Sequence, residues 1–325
     1  METSPATTPG GATAVGRLWD RLRDAIALAV VDADDAARLL AVALIADGHA
    51  LVEDVPGVGK TVLGKAFSRA LGLAFARVQG TPDLLPGDVT GSSVLQGGEF
   101  RFIAGPIFTN VLLVDEINRA TPRTQSGLLE AMQERQVSID GVTRPLPDPF
   151  LVLATENPIE LEGTFALPEA QVDRFLVRIA LGYPSEAGER AIARRYRASH
   201  EPLDAIPVVA TADEIVAARE TVRTVLVSDD VEAYLVDVVR ATRDHPDLRL
   251  GASPRATVAL YRASQAWAAL HGRAFAIPDD VVAVAPAVLA HRLLLDLDRE
   301  LAGATGGNVL AEILGSVRVP IPPRP

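Results

Sequence analysis

The chain has 325 residues, 48% of them hydrophobic and 22% charged, with a formal net charge of −11. At ~150 residues per domain this is material for about two globular domains, and the acidic balance argues against a nucleic-acid-binding face. With no cysteine, disulfides, thiolate zinc sites and cysteine nucleophiles are excluded, and no apolar run approaches the ~20 residues of a membrane-spanning helix.

The first residues, METSPATTPGGATAVG, hold an acid at Glu2 and no apolar stretch of signal-peptide type, so a cytoplasmic protein is expected. Residues 1–15 are small and polar and are expected to form a disordered tail. From Leu18 to Ala46 two helical patterns follow, broken near Val30-Val31-Asp32. Residues 50–53, 74–78, 111–115, 150–154 and 175–179 then read as strands. Their near-continuous apolar character suits a parallel sheet buried on both faces. Between them, residues 61–71 and 124–134 place apolar side chains on one helical face. Strand, helix, strand repeated in this way predicts an α/β doubly wound core over residues 16–184.

Two stretches interrupt the alternation. Residues 91–103 read as a hairpin turning at Gly97-Gly98, and residues 136–146 as a second one turning at Asp140-Gly141. After Tyr183-Pro184 the strand signal stops. Residues 185–211 read as a helix and a proline-containing linker that begins at His200. Residues 212–325 form a second domain, all-helical as far as Leu297, with irregular stretches at 302–308 and in the closing VRVPIPPRP.

The strongest chemical signal is DVPGVGKT, residues 54–61, lying between a strand and an amphipathic helix. Gly57 and Gly59 let the backbone curl so that successive N–H groups face phosphate oxygens. The helix that follows adds the positive end of its dipole. Lys60 would reach the β- and γ-phosphates, and the Thr61 hydroxyl would ligate Mg²⁺. Asp54 stands where the usual pattern has glycine. The second signal is VLLVDEINRA, residues 111–120. An apolar strand ending in two acids places both at its carboxyl end, where open α/β sheets bind ligands. Asp115 would hold Mg²⁺, and Glu116 would polarise an attacking water.

Three further residues have two readings each. Asn157, in ATENP, either orients a water or closes an Asn-Pro turn. Arg174, in EAQVDRF, either meets transition-state charge or pairs with Asp173 or Glu169 at the surface. Arg255, in GASPRA, falls in the first turn of a helix, where a cation opposes the dipole, so its position favours function over stability. Arg119 and Arg123 read as a solvated helix start. The five histidines lack metal-ligand spacing.

In this order, EDVPGVGKT, GTPDLLPGDVTGS, VLLVDEINRATPRTQSGLLEAMQERQVSIDG, ATENPIELEGTFALPEAQVDRF and LGASPRA resemble the MoxR family of AAA+ ATPases, from about residue 30 to about residue 293. The resemblance implies a P-loop αβα core with a five-stranded parallel sheet and a C-terminal all-helical lid. It implies ATP and Mg²⁺ as ligands, a homo-oligomeric and usually hexameric ring, and a partner such as a von Willebrand factor A domain protein. Nucleotide contacts are implied at Val30, Val31, Pro56, Gly57, Val58, Gly59, Lys60, Thr61 and Val62, with the metal at Thr61 and Asp115. Glu116 and Asn157 take the catalytic and sensor roles. Arg174 becomes the arginine finger acting on a neighbour's ATP, and Arg255 a second sensor. At Asp32-Ala33 the family carries Gly-Gln, and at Glu156 often Gln. The expected function is ATP-driven, chaperone-like remodelling or maturation of a partner, including metal-cofactor insertion. A nucleotide-gated scaffold and a metal-chelatase motor subunit are the alternatives.

Overall fold

The structure is a computed structural model that describes residues 9–158, 163–195, 197 and 201–320. Two compact units divide the chain. One comprises Asp20–Phe175 and Ile179–Val216, the other the segments up to Trp19, Leu176–Arg178, and from Ala217 onward.

The chain opens with helix α1, Pro9–Ala27. Residues 9–15, expected in a disordered tail, are therefore helical; the part of that tail before Pro9 lies outside the described residues. Ala12, Val15, Leu18, Trp19 and Leu22 are all buried. They recur every three to four residues, a stripe obscured in the sequence by Gly10, Gly11 and Gly16. Helix α2, Asp34–Ile45, carries Asp34 and Asp35 in its first turn, where acids complement the dipole.

The core follows as β1 (Ala50–Glu53), α3 (Lys60–Ala70), β2 (Phe75–Gln79), α4 (Pro86–Thr90), the hairpin β3 (Gly91–Gln96) and β4 (Glu99–Ala104), then β5 (Val111–Asp115) and α5 (Pro122–Glu134). A second hairpin, β6 (Gln136–Ile139) and β7 (Val142–Pro145), precedes β8 (Leu151–Glu156), α6 (Glu169–Val172), β9 (Val177–Ile179) and α7 (Glu186–Arg195). The five-stranded sheet has the order β2-β5-β8-β1-β9. The pairs β2/β5, β5/β8 and β1/β8 are parallel. Because β8 inserts between β1 and β5, the loops leaving all three strands emerge side by side at their carboxyl ends.

Alternate residues of each strand serve opposite faces, as the strand period of two requires. Leu51, Leu112, Val114, Val152 and Ala154 join Leu128, Leu129 and Met132 of α5 in one buried cluster with Phe150 and Phe175. Leu113 and Leu153, also buried, belong to the other face, as do Leu63, Ala66 and Phe67 of α3. Each large apolar side chain so buried contributes roughly 1.5–3 kcal/mol. Both hairpins turn where the sequence placed them. Gly97-Gly98 and Asp140-Gly141 have positive φ at both positions, which matches the strand twist. The Arg144 guanidinium of β7 lies 3.9 Å from the centre of the Phe102 ring of β4, so the hairpins touch. After α7 the described part of the expected linker packs down: Ile206 and Ala210 are buried, and the Val209 N–H donates to Ala70 O at the end of α3.

Then come α8 (Ala212–Arg223), α9 (Asp229–Ala241), β10 (Leu248–Leu250), α10 (Pro254–Leu270), α11 (Pro278–Leu289), β11 (Leu294–Leu295), α12 (Leu297–Leu301) and α13 (Gly306–Ser316). The second unit is thus helical but not entirely so, since β10 and β11 form a short antiparallel pair. These strands are too short for periodicity to reveal. Residues 306–308, expected to be irregular, form the first turn of α13, where Thr305 accepts the Asn308 N–H as a cap. Tyr234, Leu235, Leu260, Val284, Val288 and Leu310 are buried here. Among the described residues no helix is long and apolar enough to cross a membrane.

Candidate functional site

The loop between β1 and α3 forms a cradle. Gly57 and Gly59 hold φ of +86° and +97°, and a Cβ built on either would meet nothing within 4 Å. Their backbone faces open space and adopts a conformation that side-chain-bearing residues avoid. Gly59 is also the N-cap of α3, and no side chain caps that helix. The first N–H groups of α3 are therefore left for a ligand, and at a helix N-terminus that ligand is an anion.

Asp54 explains its own departure from glycine. Its Oδ1 accepts the Val55 N–H at 2.8 Å, and its Oδ2 accepts the N–H groups of Leu181 and Gly182 at 2.6 and 2.7 Å. One buried carboxylate thus ties the start of the loop to the chain beyond β9. Lys60 Nζ donates to Asp54 O at 2.6 Å and to Glu156 O at 3.3 Å. Burial pushes the Lys60 amine below the usual lysine value, against the upward pull of Asp54, Asp115 and Glu116.

Asp115 closes β5, and its carboxylate is gripped from three sides. Oδ2 accepts from Thr61 Oγ1 at 3.3 Å and from Arg77 Nε at 2.6 Å, while Oδ1 accepts from Thr155 Oγ1 at 3.1 Å. Glu116 follows in the left-handed region, φ +54°, and its N–H donates to the same Thr155 hydroxyl at 2.9 Å. Its Oε2 accepts from Gln79 Nε2 at 3.0 Å and lies 3.0 Å from Arg119 Nε. Arg119, expected at a solvated helix start, therefore pairs with Glu116. Gly80 allows this corner to form: a Cβ there would lie 2.1 Å from Glu116 O.

Pro56, Gly57, Gly59, Lys60, Thr61, Val62, Asp115, Glu116 and Asn157 line one cavity of about 350 Å³, together with Arg77, Gln79 and Thr155. The last three were missed in the sequence. Arg77 and Gln79 share a face of an edge strand, and Thr155 lies buried in β8; only the order β2-β5-β8 brings them to the two acids. The expected metal ligands, a carboxylate and a hydroxyl, are the hard oxygen donors that Mg²⁺ takes alongside phosphate oxygens and water. The donors present fit both a nucleoside triphosphate and its metal.

Val58, half-buried in the same loop, does not line this cavity. Val30 and Val31 lie between α1 and α2, also half-buried and outside the cavity lining. Asp32 next to them has φ +54°, and its Oδ2 accepts from the N–H and Oγ of Ser185 at 2.9 and 2.7 Å. Those bonds lower the Asp32 pKa and account for an acid where the family resemblance led to the expectation of glycine. Arg174 follows α6 and does not line the cavity; its Nε is buried without a hydrogen-bond partner. Arg255, exposed in the first turn of α10, belongs to the other unit. There, His245, Asp247 and Glu312 converge, but His245 Nδ1 accepts the Asp247 N–H, which puts the ring proton on Nε2, facing Glu312.

Residues 49–177 match the ATPase family associated with various cellular activities (AAA), and residues 240–313 match the AAA lid domain. YeaC of Bacillus subtilis is 47% identical over 88% of this chain and 90% of its own length. The chaperone MoxR1 of Mycobacterium tuberculosis is 42% identical over 98% of this chain and 88% of its own length. A crystal structure of a protein from Cytophaga hutchinsonii superposes with a TM-score of 0.90 at 34% identity, covering 96% of this chain and 98% of that one. With the glycine-rich loop and both acids lining one cavity on a β2-β5-β8-β1-β9 sheet, these relationships make the chain an AAA+ ATPase of the MoxR family.

Proposed function

We propose that this ATPase works as a Mg²⁺-dependent, ring-forming machine that remodels or matures a partner protein in the cytoplasm. The observation that carries the site is that Lys60, Thr61, Asp115, Glu116 and Asn157 line one cavity at the uncapped N-terminus of α3. Gly57, Gly59 and the first turn of α3 hold the phosphates through backbone N–H groups, and Lys60 leaves the carbonyls of Asp54 and Glu156 to meet them. Thr61 and Asp115 hold the metal, which when bound neutralises phosphate charge. Glu116 takes the proton of the attacking water, its orientation set by Thr155 and Gly80. Asn157 orients that water.

Arg174 completes the site of a neighbouring copy. It does not line its own chain's cavity, and a guanidinium delivered across an interface is worth ~10³–10⁵ in rate. Arg255 senses nucleotide from the lid, and Val30 and Val31 contact the adenine. The name of the MoxR1 relative supports a chaperone-like role; the partner class we favour, a von Willebrand factor A domain protein, follows from the family resemblance.

Steady-state ATPase measurements on Glu116→Gln and Arg174→Ala test this reading. Both should fall by ~10²-fold or more, and mixing the two should restore part of the lost turnover. Near wild-type turnover in both single variants would sink the assignment. Pull-down with Glu116→Gln, which should trap ATP, identifies the client.

A further inference from the structure

The tightest contact on the expected metal carboxylate comes from a residue that the site reading did not use. Arg77 Nε donates to Asp115 Oδ2 at 2.6 Å, and this is the oxygen that also accepts from Thr61 Oγ1 at 3.3 Å. The other oxygen, Oδ1, is held by Thr155. Asp115 thus presents no unclaimed oxygen to the cavity. The cation on it is also placed rather than wandering. Arg77 Nη2 donates to Gln79 Oε1 at 3.0 Å, and Gln79 Nε2 donates in turn to Glu116 Oε2. Arg77 and Gln79 stand two residues apart on β2, and the parallel register sets Gln79 beside Asp115.

A guanidinium and a hydrated divalent cation compete for one carboxylate oxygen. Each brings positive charge to the same point, and the second to arrive meets both repulsion and a lost hydrogen bond. The Asp115 side chain is 10% exposed, so this competition is screened less than at an open surface; the Arg77 side chain is 48% exposed and has room to swing away.

We propose that Arg77 is a gate on the metal site. In the nucleotide-free protein it neutralises Asp115 and keeps free divalent cations out. It leaves Asp115 Oδ2 only when the metal arrives with a triphosphate, whose negative charge offsets the second cation. Arg77 is accordingly a positioning residue that couples metal entry to nucleotide entry. This rests on the reading of Asp115 as the metal carboxylate, so the test must separate the two.

The probe is Mn²⁺, titrated by electron paramagnetic resonance into the nucleotide-free full chain and into the chain saturated with ATP. In the nucleotide-free state Arg77→Gln should bind Mn²⁺ roughly tenfold or more tightly than wild type, because a neutral amide no longer repels the ion. Arg77→Lys keeps the charge and should stay near wild type. Adding Asp115→Asn to Arg77→Gln should remove the gain. If Arg77→Gln, folded by circular dichroism, changes nucleotide-free Mn²⁺ affinity by less than about twofold while Asp115→Asn weakens Mn²⁺ binding with ATP, the gate is refuted and the metal site stands. If Asp115→Asn leaves Mn²⁺ binding with ATP unchanged, the metal reading fails and the gate fails with it.

Discussion

Thr155 is the residue on which the corner of the site turns, and Thr155→Val tests it. Its hydroxyl donates to Asp115 Oδ1 at 3.1 Å and accepts the Glu116 N–H at 2.9 Å, with 1% of the residue exposed. Valine keeps the shape and removes both bonds. A hydrogen bond to a charged group contributes ~1.5–3 kcal/mol, and an unmatched N–H costs ~1–3 kcal/mol. With part of the Glu116 N–H recovering water, a net loss of ~2–3 kcal/mol is expected. In a unit of this size that is a fall in Tm of roughly 5–10 °C. The loss is not confined to stability. Glu116 sits at φ +54°, a backbone state that costs of order 1–3 kcal/mol and persists only while its surroundings hold it. Freed from Thr155, its carboxylate should drift from the attacking water, and displacement by ~1 Å lowers kcat by ~10²-fold. Affinity for ATP, set by the α3 cradle, should change little. The assays are differential scanning fluorimetry, equilibrium binding of a fluorescent ATP analogue and steady-state turnover, with Thr155→Ser as the control that keeps the hydroxyl. A Thr155→Val protein with wild-type Tm and kcat would refute this account of the corner.

Gly80→Ala should act on the same corner from the other side: its Cβ would lie 2.1 Å from Glu116 O. The backbone must move, costing ~1–3 kcal/mol, and turnover should drop more than nucleotide affinity. Asp54→Ala should lower stability by ~2–4 kcal/mol, because three backbone N–H groups lose their acceptor; Asp54→Asn should recover part of the lost Tm. For Lys60 the sign of the pH dependence follows from its depressed pKa. A triphosphate draws that pKa back up, so ATP affinity should fall as pH rises from neutral through the depressed value toward the ordinary ~10.4. Stability of the nucleotide-free protein should rise over the same window, because the unfolded chain there binds the extra proton. Calorimetric binding and thermal melts from neutral to about pH 10 would expose parallel trends as an error in this reasoning.

Residues in a row were enough to recognise the elements that make their own signal. VLLVD reads as a strand buried on both faces, GVGKT between a strand and an amphipathic run as an anion cradle, and Gly97-Gly98 and Asp140-Gly141 as hairpin turns. Local sterics and period decide such matters, and both are written in neighbouring residues. Only the opening turns of helix α1, before Leu18, were hidden, because glycines weaken their local propensity and their stripe is stabilised by burial rather than by the helix itself. Arg77, Gln79 and Thr155 were hidden for a different reason. Nothing adjacent to them in the chain marks them, and they meet Asp115 and Glu116 only because β5 lies between β2 and β8. Asp54 and Asp32 looked like departures from a pattern until the fold brought backbone N–H groups from distant segments to their carboxylates. Which groups surround a charge is a property of strand order and loop return, and that is settled by packing the whole sheet rather than by any stretch of it.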